Sequence, residues 1–181
     1  MKKLIIMLAA LIPALAATNK LNAQQNGNLA FQGMERAAFG NFATIDNSKN
    51  SGESIANINS KAVKNFSKNY KKVSSPRWEI IMDGYTAEFT ENGVRNIVYY
   101  DTKGNWAGNL KRYPADKLPG EVQDILDTQY GRYTIDGVSQ IETTASNGVP
   151  TYIAVAEDKK SIKWLRIFDG EVEEYKVFSK K

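Results

Sequence analysis

Carboxylates are the only side chains in this sequence that are clustered in a way that could support catalysis. Glu171, Glu173 and Glu174 follow shortly after Asp169, near the end of the chain. Two carboxylates held about 5 Å or about 6.5–9.5 Å apart across a cleft can hydrolyse a glycosidic bond. Sequence spacing alone does not establish such a pair. A carboxylate-dependent glycan hydrolase is therefore the least favoured interpretation.

Most other catalytic chemistry is limited by two missing residue types. The 181 residues include no Cys and no His. Thiol nucleophiles, zinc–thiolate sites and iron–sulfur clusters need the first, and the serine–histidine triad needs the second. The serines have no Lys at motif spacing, and the sequence has no Gly-rich phosphate loop. The composition predicts a protein that is not an enzyme, with no catalytic residue, cofactor or metal.

A loop at residues 101–105 resembles a fragment of a calcium-binding loop. It begins with Asp101 and includes Gly104 and Asn105, but it lacks the alternating acidic ligands and the closing Glu of an EF-hand. An Asp that accepts hydrogen bonds within its own turn, with a Gly at positive φ, accounts for these residues. We expect a structural turn here.

Alternation along two predicted strands, 96–100 and 164–168, suggests a binding surface. One set of alternate positions is apolar, and we expect it to face a helix; it consists of Ile97, Tyr99, Leu165 and Ile167. The other set mixes aromatic, cationic and polar side chains, which suits a sheet face that is partly open to water.

The second set supplies the candidate binding residues, which are Tyr100, Trp164, Arg166 and Phe168. Aromatic side chains and Arg are enriched at the centres of protein interfaces. We expect these residues to bind an unknown protein or peptide partner in the cell envelope. The alternative is that a curled sheet or the N-terminal leader covers them.

The elements that would position these residues are a helix followed by four strands, present twice. Phe66 and Tyr70 belong to an apolar stripe with helical spacing in residues 55–72. Asp83-Gly84 and Asn92-Gly93 predict tight hairpin turns, because both central residues of a type I′ turn need positive φ. Hairpins make a sheet antiparallel, and each helix must cover one face of it. The predicted fold class is α+β.

An internal repeat supports this order. One helix matches the other at a constant offset of 60 residues, through the pairs Ala62 and Val122, Phe66 and Leu126, and Tyr70 and Tyr130. The offset then grows: Tyr85 matches Tyr152 at 67, and Asp101 matches Asp169 at 68. Such a period indicates a tandem duplication. Its predicted copies are residues 56–113 and 118–178.

The N-terminus has the pattern of a signal peptide. Lys2 and Lys3 precede an apolar run at residues 4–15, which is shorter than the roughly 20 residues of a membrane-spanning helix. Cleavage is expected after Ala16, with Ala23 as the alternative. Residues 17–55 then form a flexible polar leader. We predict a periplasmic or secreted protein without a stable membrane anchor after cleavage.

Charge gives no indication of a nucleic-acid partner. The net charge is +4, and it falls to +2 when Lys2 and Lys3 are removed with the signal peptide. A nearly balanced chain has no strong positive field to attract phosphates.

Several of these residues together resemble a known family. The matching features are Phe66 and Tyr70 at the end of the first helix, Trp78-Glu79, residues 85–89, the turn from Asp101 to Trp106, and Leu118-Pro119. They are similar to PepSY-like proteins, also described as beta-lactamase-inhibitor-like, which are exported by Bacteroidetes-type bacteria. The resemblance covers residues 56–178. It implies tandem units of a helix and antiparallel strands with a binding or inhibitory role, and it supplies no catalytic residues.

The favoured prediction is a non-catalytic exported binding or inhibitory module that presents an aromatic and Arg-containing sheet face. An envelope structural or self-associating protein is the alternative.

Overall fold

One antiparallel sheet with two helices makes up the fold, as seen in a computed structural model that describes Met34 and residues 53–181. Helix α1 is Ser60–Asn69 and helix α2 is Gly120–Tyr130. Strands β1 to β8 are, in order, Arg77–Ile81, Gly84–Glu91, Val94–Asp101, Trp106–Pro114, Thr134–Thr143, Thr151–Glu157, Ser161–Phe168 and Glu171–Ser179. Each strand pairs with the next along the chain. The predicted α+β class with an antiparallel sheet is confirmed.

Helix α1 is shorter than the predicted span of residues 55–72. Residues Ile55–Asn57 form a separate 3₁₀ turn, and the Asn59 side chain then accepts a 2.9 Å hydrogen bond from the Lys61 N–H. This cap satisfies one of the free N–H groups at the start of a helix. The buried residues Ala62 and Phe66 share one face of α1, as their spacing predicts.

Both helices cover the same face of the sheet, which we call the helix face. Helix α1 packs onto β1–β3, where the buried apolar residues are Trp78, Ala87, Phe89, Val98 and Tyr100. Helix α2 packs onto β5–β7, where they are Val138, Tyr152, Ala154, Ala156, Leu165 and Ile167. Phe66 meets Trp78 and Phe89 edge to face, with ring centroids 5.5 and 5.6 Å apart. Each helix thus has its own core on one continuous sheet.

The expected orientation is confirmed for β7 and wrong for β3. Leu165 and Ile167 lie beneath α2 as expected. On β3 the helix-covered residues are Val98 and Tyr100, not the expected Ile97 and Tyr99. A shift of one residue in register moves every side chain of a strand to the opposite face.

The cause of this error is the turn that follows each strand. The Asp101 turn is long: the Asp101 carbonyl accepts from the Gly104 N–H at 2.9 Å, and β4 begins only at Trp106. The Asp169-Gly170 turn has only two residues, with φ of 51° and 79°. Aligning Asp101 with Asp169, at an offset of 68, therefore assigns the residues of β3 to the wrong face of the sheet. An offset of 67 aligns Tyr100 with Ile167, and both of these face a helix.

The first hairpin also differs in detail from its prediction. Ile81 pairs with Gly84, so its turn residues are Met82 and Asp83, not Asp83 and Gly84. Gly84 opens β2 at a φ of +147°, where an added Cβ would collide with the Tyr100 carbonyl oxygen. The Asn92-Gly93 turn has positive φ at both residues, as expected.

The predicted signal peptide and both cleavage sites lie outside the described residues, as does the leader apart from Met34 and its last few residues. Within residues 53–181, neither helix is long and apolar enough to cross a bilayer.

Candidate partner-binding surface

The far face is the side of the sheet opposite the two helices. Its orientation follows from the strand register, because residues paired across neighbouring strands share a face. Ile153 pairs with Arg166, and Val155 pairs with Trp164. Large side chains on this face are those of Ile97, Tyr99, Leu110, Arg112, Ile141, Ile153, Trp164, Arg166 and Phe168.

Met34 occupies the centre of the far face. It is helical and fully buried, and it clusters with Leu110, Ile141 and Ile153. Its sulfur lies 3.1 Å from the position that a Cβ on Gly108 would take, so the glycine leaves the space that Met34 fills. The sequence predicts only a flexible polar leader here. Met34 covers the sheet at Leu110, Ile141 and Ile153, and none of these is a candidate binding residue.

Tyr100 does not belong with the other candidate binding residues. It is 1% exposed on the helix face, where its hydroxyl lies 3.2 Å from Asn65 Oδ1 of α1. Burial raises the pKa of its hydroxyl. Its ring packs beside Trp78, with centroids 5.8 Å apart. The expectation that Tyr100 lies on the open surface is wrong, because the alternate residues of β3 face the opposite side of the sheet from the one predicted.

Trp164, Arg166 and Phe168 do lie together on the far face of β7, where they meet β8. Arg166 Nη1 donates to Glu173 Oε2 at 3.0 Å, and the guanidinium carbon lies 4.7 Å from the centre of the Tyr175 ring. The Trp164 ring makes an edge-to-face contact with the Phe178 ring, and the two ring centroids are 5.3 Å apart. These strands therefore hold aromatic and cationic side chains in defined contacts.

Lys176 completes this group. Its ammonium nitrogen lies 5.4 Å from the centre of the Trp164 ring and 4.9 Å from that of Phe178. We call the whole group the β7–β8 patch, and it consists of Trp164, Arg166, Phe168, Tyr175, Lys176 and Phe178. Phe168, Tyr175 and Phe178 are 48%, 46% and 37% exposed. These three rings are the exposed part of the patch, whereas Trp164 and Arg166 are half-buried.

The sequence analysis missed Tyr175, Lys176 and Phe178. Simple alternation would place Tyr175 on one face of β8, with Lys176 and Phe178 on the other. A β-bulge shifts the register here, because Leu165 pairs with Glu174 while Trp164 pairs with Lys176. The extra residue brings Lys176 and Phe178 to the face that carries Trp164. No local residue pattern in β8 marks this bulge.

The other end of the far face carries an ion-pair network. Glu88 accepts from Arg77 Nη2 at 2.6 Å and from Arg95 Nε at 2.5 Å. Burial alone would raise the pKa of Glu88, but hydrogen bonds and charge from Arg95 and Arg77 outweigh it and hold this pKa below its ordinary value. Burial, with the nearby Arg95, lowers the pKa of Arg112. This end of the face is polar and internally paired.

The carboxylates of β8 are not arranged as a catalytic pair. Glu173 pairs with Arg166 on the far face, whereas Glu174 lies opposite Leu165 on the helix face. Glu174 accepts from Lys163 Nζ at 2.6 Å and from the Tyr130 hydroxyl at 3.1 Å. The hydrogen bond from Lys163 lowers the pKa of Glu174, whereas a general acid needs a raised one. The geometry does not favour glycoside hydrolysis.

The Asp101 loop is a structural turn. Asp101 Oδ1 accepts from the Asn105 N–H and Oδ2 from the Asn105 side-chain amide, both at 2.8 Å. The loop also packs against α1, since the Asn59 side chain donates to the Thr102 carbonyl at 3.3 Å. Within the described part of the chain, no three His, Cys, Asp or Glu residues are grouped so that they could hold a metal ion.

Solved structures share this fold. A DUF2874 family protein from Bacteroides ovatus matches with a TM-score of 0.56 and 19% identity, over 71% of this chain and 89% of that one. A BLIP-like protein from Bacteroides fragilis matches with a TM-score of 0.53 and 17% identity, over 67% and 86%. A Bacteroides eggerthii protein with a provisional assignment to the periplasm matches at 0.53 and 14%, over 67% and 88%.

No family profile and no curated protein matches the sequence. At these identities the structural likeness shows the fold alone. The beta-lactamase-inhibitor-like (BLIP-like) part of the resemblance is therefore confirmed as a shared fold, and the PepSY-like assignment stays a prediction.

Proposed function

We propose that this chain is a non-catalytic exported module that binds a protein or peptide partner through the β7–β8 patch. The observation that carries the proposal is the joint exposure of Phe168, Tyr175 and Phe178 on one face. Several large apolar side chains exposed on one face are typical of an interaction site. The fold shared with a BLIP-like protein supports a binding role.

The patch is organised before any partner arrives. Arg166 is held by Glu173 and lies against Tyr175, while Lys176 lies between Trp164 and Phe178. Side chains that are already ordered lose less conformational entropy on binding. Rings with neighbouring cations suit a partner that offers apolar side chains together with carboxylates or carbonyl oxygens.

The centre of the far face is not included in the proposed site. Met34 fills the space above Leu110, Ile141 and Ile153, so a partner would contact the β7–β8 end of the sheet. Of the residues proposed from the sequence, Trp164, Arg166 and Phe168 stay in the site and Tyr100 does not.

The test is retention of a specific partner by the purified mature protein in a periplasmic extract. The variant carrying Phe168→Ser and Tyr175→Ser should release the retained protein while keeping its circular dichroism spectrum, since both side chains are exposed. Met82→Ser is the matched control, because Met82 is 96% exposed at the opposite end of the sheet. Equal retention by the patch variant and the control would remove the proposed surface.

We also infer that the two units are tandem copies and that the protein is periplasmic or secreted. The buried positions Ala62 and Phe66 of α1 correspond to the buried Val122 and Leu126 of α2 at the offset of 60. The location is supported by the signal-like N-terminus and by the Bacteroides eggerthii neighbour. Mass spectrometry of the exported protein would identify cleavage after Ala16 or Ala23.

A further inference from the structure

The two edges of the sheet differ in how they are covered. At the β1 edge, the Glu53 N–H donates a 2.7 Å hydrogen bond to the Trp78 carbonyl, so the chain itself takes up part of that edge. At the other edge, the strand order of the described residues ends with β8, which pairs with β7. An edge strand presents backbone N–H and C=O groups that can pair with another strand.

Strand β8 is long and carries exposed apolar side chains. It spans Glu171–Ser179, and Tyr175, Val177 and Phe178 are 46%, 52% and 37% exposed. Val177 lies outside the β7–β8 patch, because it pairs with Lys163, a residue of the helix face. Both sides of this strand therefore expose apolar surface next to its outer edge.

The charges of β8 are separated along the strand. The acidic residues Glu171, Glu173 and Glu174 come first, Lys176 follows within the strand, and Lys180 and Lys181 lie just beyond its end at Ser179. Two copies of such a strand in antiparallel orientation place the acidic half of each beside the basic half of the other. Opposite charges across neighbouring strands are stabilising, and like charges are destabilising.

We propose that two copies of this chain pair through antiparallel β8 strands, so that the two sheets join into one. The pairing is two-fold symmetric and therefore closes at a dimer. The partly covered β1 edge opposes further addition of sheets. The same contact places two β7–β8 patches on one continuous far face. This dimer does not depend on the proposed partner, because its mass is measured without one.

The charges and the bulge of β8 could instead prevent its edge from pairing, and this role predicts a monomer. Charged residues and bulges keep edge strands from pairing, and β8 has both. A chain that uses them in this way stays monomeric as its concentration rises. The separation of acidic from basic residues along β8 favours pairing, since charges that only protect an edge need not be sorted by sign along the strand.

Sedimentation velocity of the purified mature chain tests the dimer from about 5 µM to about 500 µM, the range expected for a small interface. The dimer fraction should rise with concentration and fall with added salt, which screens the charge pairs. A single monomer species over the whole range would overturn the proposal.

Charge variants test the orientation. One variant carries Glu171→Lys with Glu173→Lys and has a basic β8, while the other carries Lys176→Glu with Lys181→Glu and has an acidic β8 and C-terminal end. Each alone should dimerise at least about tenfold more weakly than the original chain, because like charges then face each other. Mixing the two variants should restore a dimer of one copy of each, which also shows that both fold.

A matched control carries Lys64→Glu and Lys68→Glu on α1, far from β8 in the sequence and on a different element. This control changes the net charge by the same amount as the acidic β8 variant and should leave dimerisation unchanged. Equal weakening by the control would show a net-charge effect in place of strand pairing. Failure of the mixture to associate would also contradict the proposed contact.

Discussion

The indole ring of Trp164 meets the ring of Phe178 edge to face across β7 and β8, with the centroids 5.3 Å apart. The contact exists because the bulge at Tyr175 moves Phe178 to the far face. The position of one extra residue in β8 therefore determines whether the aromatic side chains of these two strands form one patch.

Trp164→Ala should lower the free energy of unfolding by about 1–3 kcal/mol, less than the loss for a fully buried Trp. The substitution removes the ring contact with Phe178 and the cation–π contact with Lys176. Urea unfolding measures the change. Phe168→Ala on the same strand is the control and should cost about 0.5 kcal/mol or less, since Phe168 is 48% exposed.

Tyr100→Phe should lower stability by about 0.5–1.5 kcal/mol and leave partner retention unchanged. The change removes a hydroxyl that lies 3.2 Å from Asn65 beneath α1, away from the β7–β8 patch. Urea unfolding and the retention assay together check this prediction. Loss of the partner without loss of stability would return Tyr100 to the binding site.

Met34→Ala should lower stability by about 2–5 kcal/mol, as expected for a buried Met, because it empties the space above Leu110, Ile141 and Ile153. Met82→Ala, at a position that is 96% exposed, is the matched control and should have almost no effect. Thermal or urea unfolding distinguishes the two. An equally small effect at both positions would contradict the packing of Met34 on the sheet.

Gly108→Ala should destabilise the protein by about 1–3 kcal/mol, because a Cβ there would lie 2.5 Å from the Glu142 carbonyl oxygen and would also meet Met34. Gly120→Ala is the control: it begins α2 with no atom within 4 Å of the new Cβ. There the change should be neutral or stabilising by about 0.4–1 kcal/mol. Urea midpoints measure both effects.

Glu88 should make the stability depend on pH. The pKa of its carboxyl group is lower in the folded chain than the ordinary value of 4.5. Its ionised form is stabilised in the folded protein, so this contribution is complete above the unfolded pKa and is lost as pH falls through the folded pKa. Urea unfolding from about pH 7 to about pH 3 should show a shallower loss for Glu88→Gln than for the original chain.

Glu91→Gln, at an exposed position at the end of the same strand, serves as the control for this pH series. It should retain the pH dependence of the original chain. A Glu88→Gln variant with the same slope would contradict the role of the ion-pair network with Arg77 and Arg95.

Local patterns predicted the elements well. The apolar spacing of α1 and the Asn92-Gly93 and Asp169-Gly170 turns depend on neighbouring residues, and the structure contains them. To predict which residues of β3 face the helices, one would need to know the length of the Asp101 turn. The sequences around Asp101 and Asp169 are similar although the two turns differ in length, so comparing the sequences did not reveal this difference.

The composition of the β7–β8 patch was only partly predictable. Trp164, Arg166 and Phe168 follow from alternation along β7, whereas Lys176 and Phe178 depend on a bulge that no local residue pattern marked. Met34 gave no periodic signal, since the apolar residues of the leader are scattered and Met34 acquires its role only through contact with distant strands.

The place of Met34 determines where this protein can be shortened. Both predicted signal-peptide sites precede Met34, so cleavage at either one would retain this residue. A fragment beginning at Glu53 would keep the eight strands and two helices described for residues 53–181, yet it would expose Leu110, Ile141 and Ile153. An expression fragment trimmed to the regular elements would therefore expose an apolar surface that Met34 covers in the longer chain.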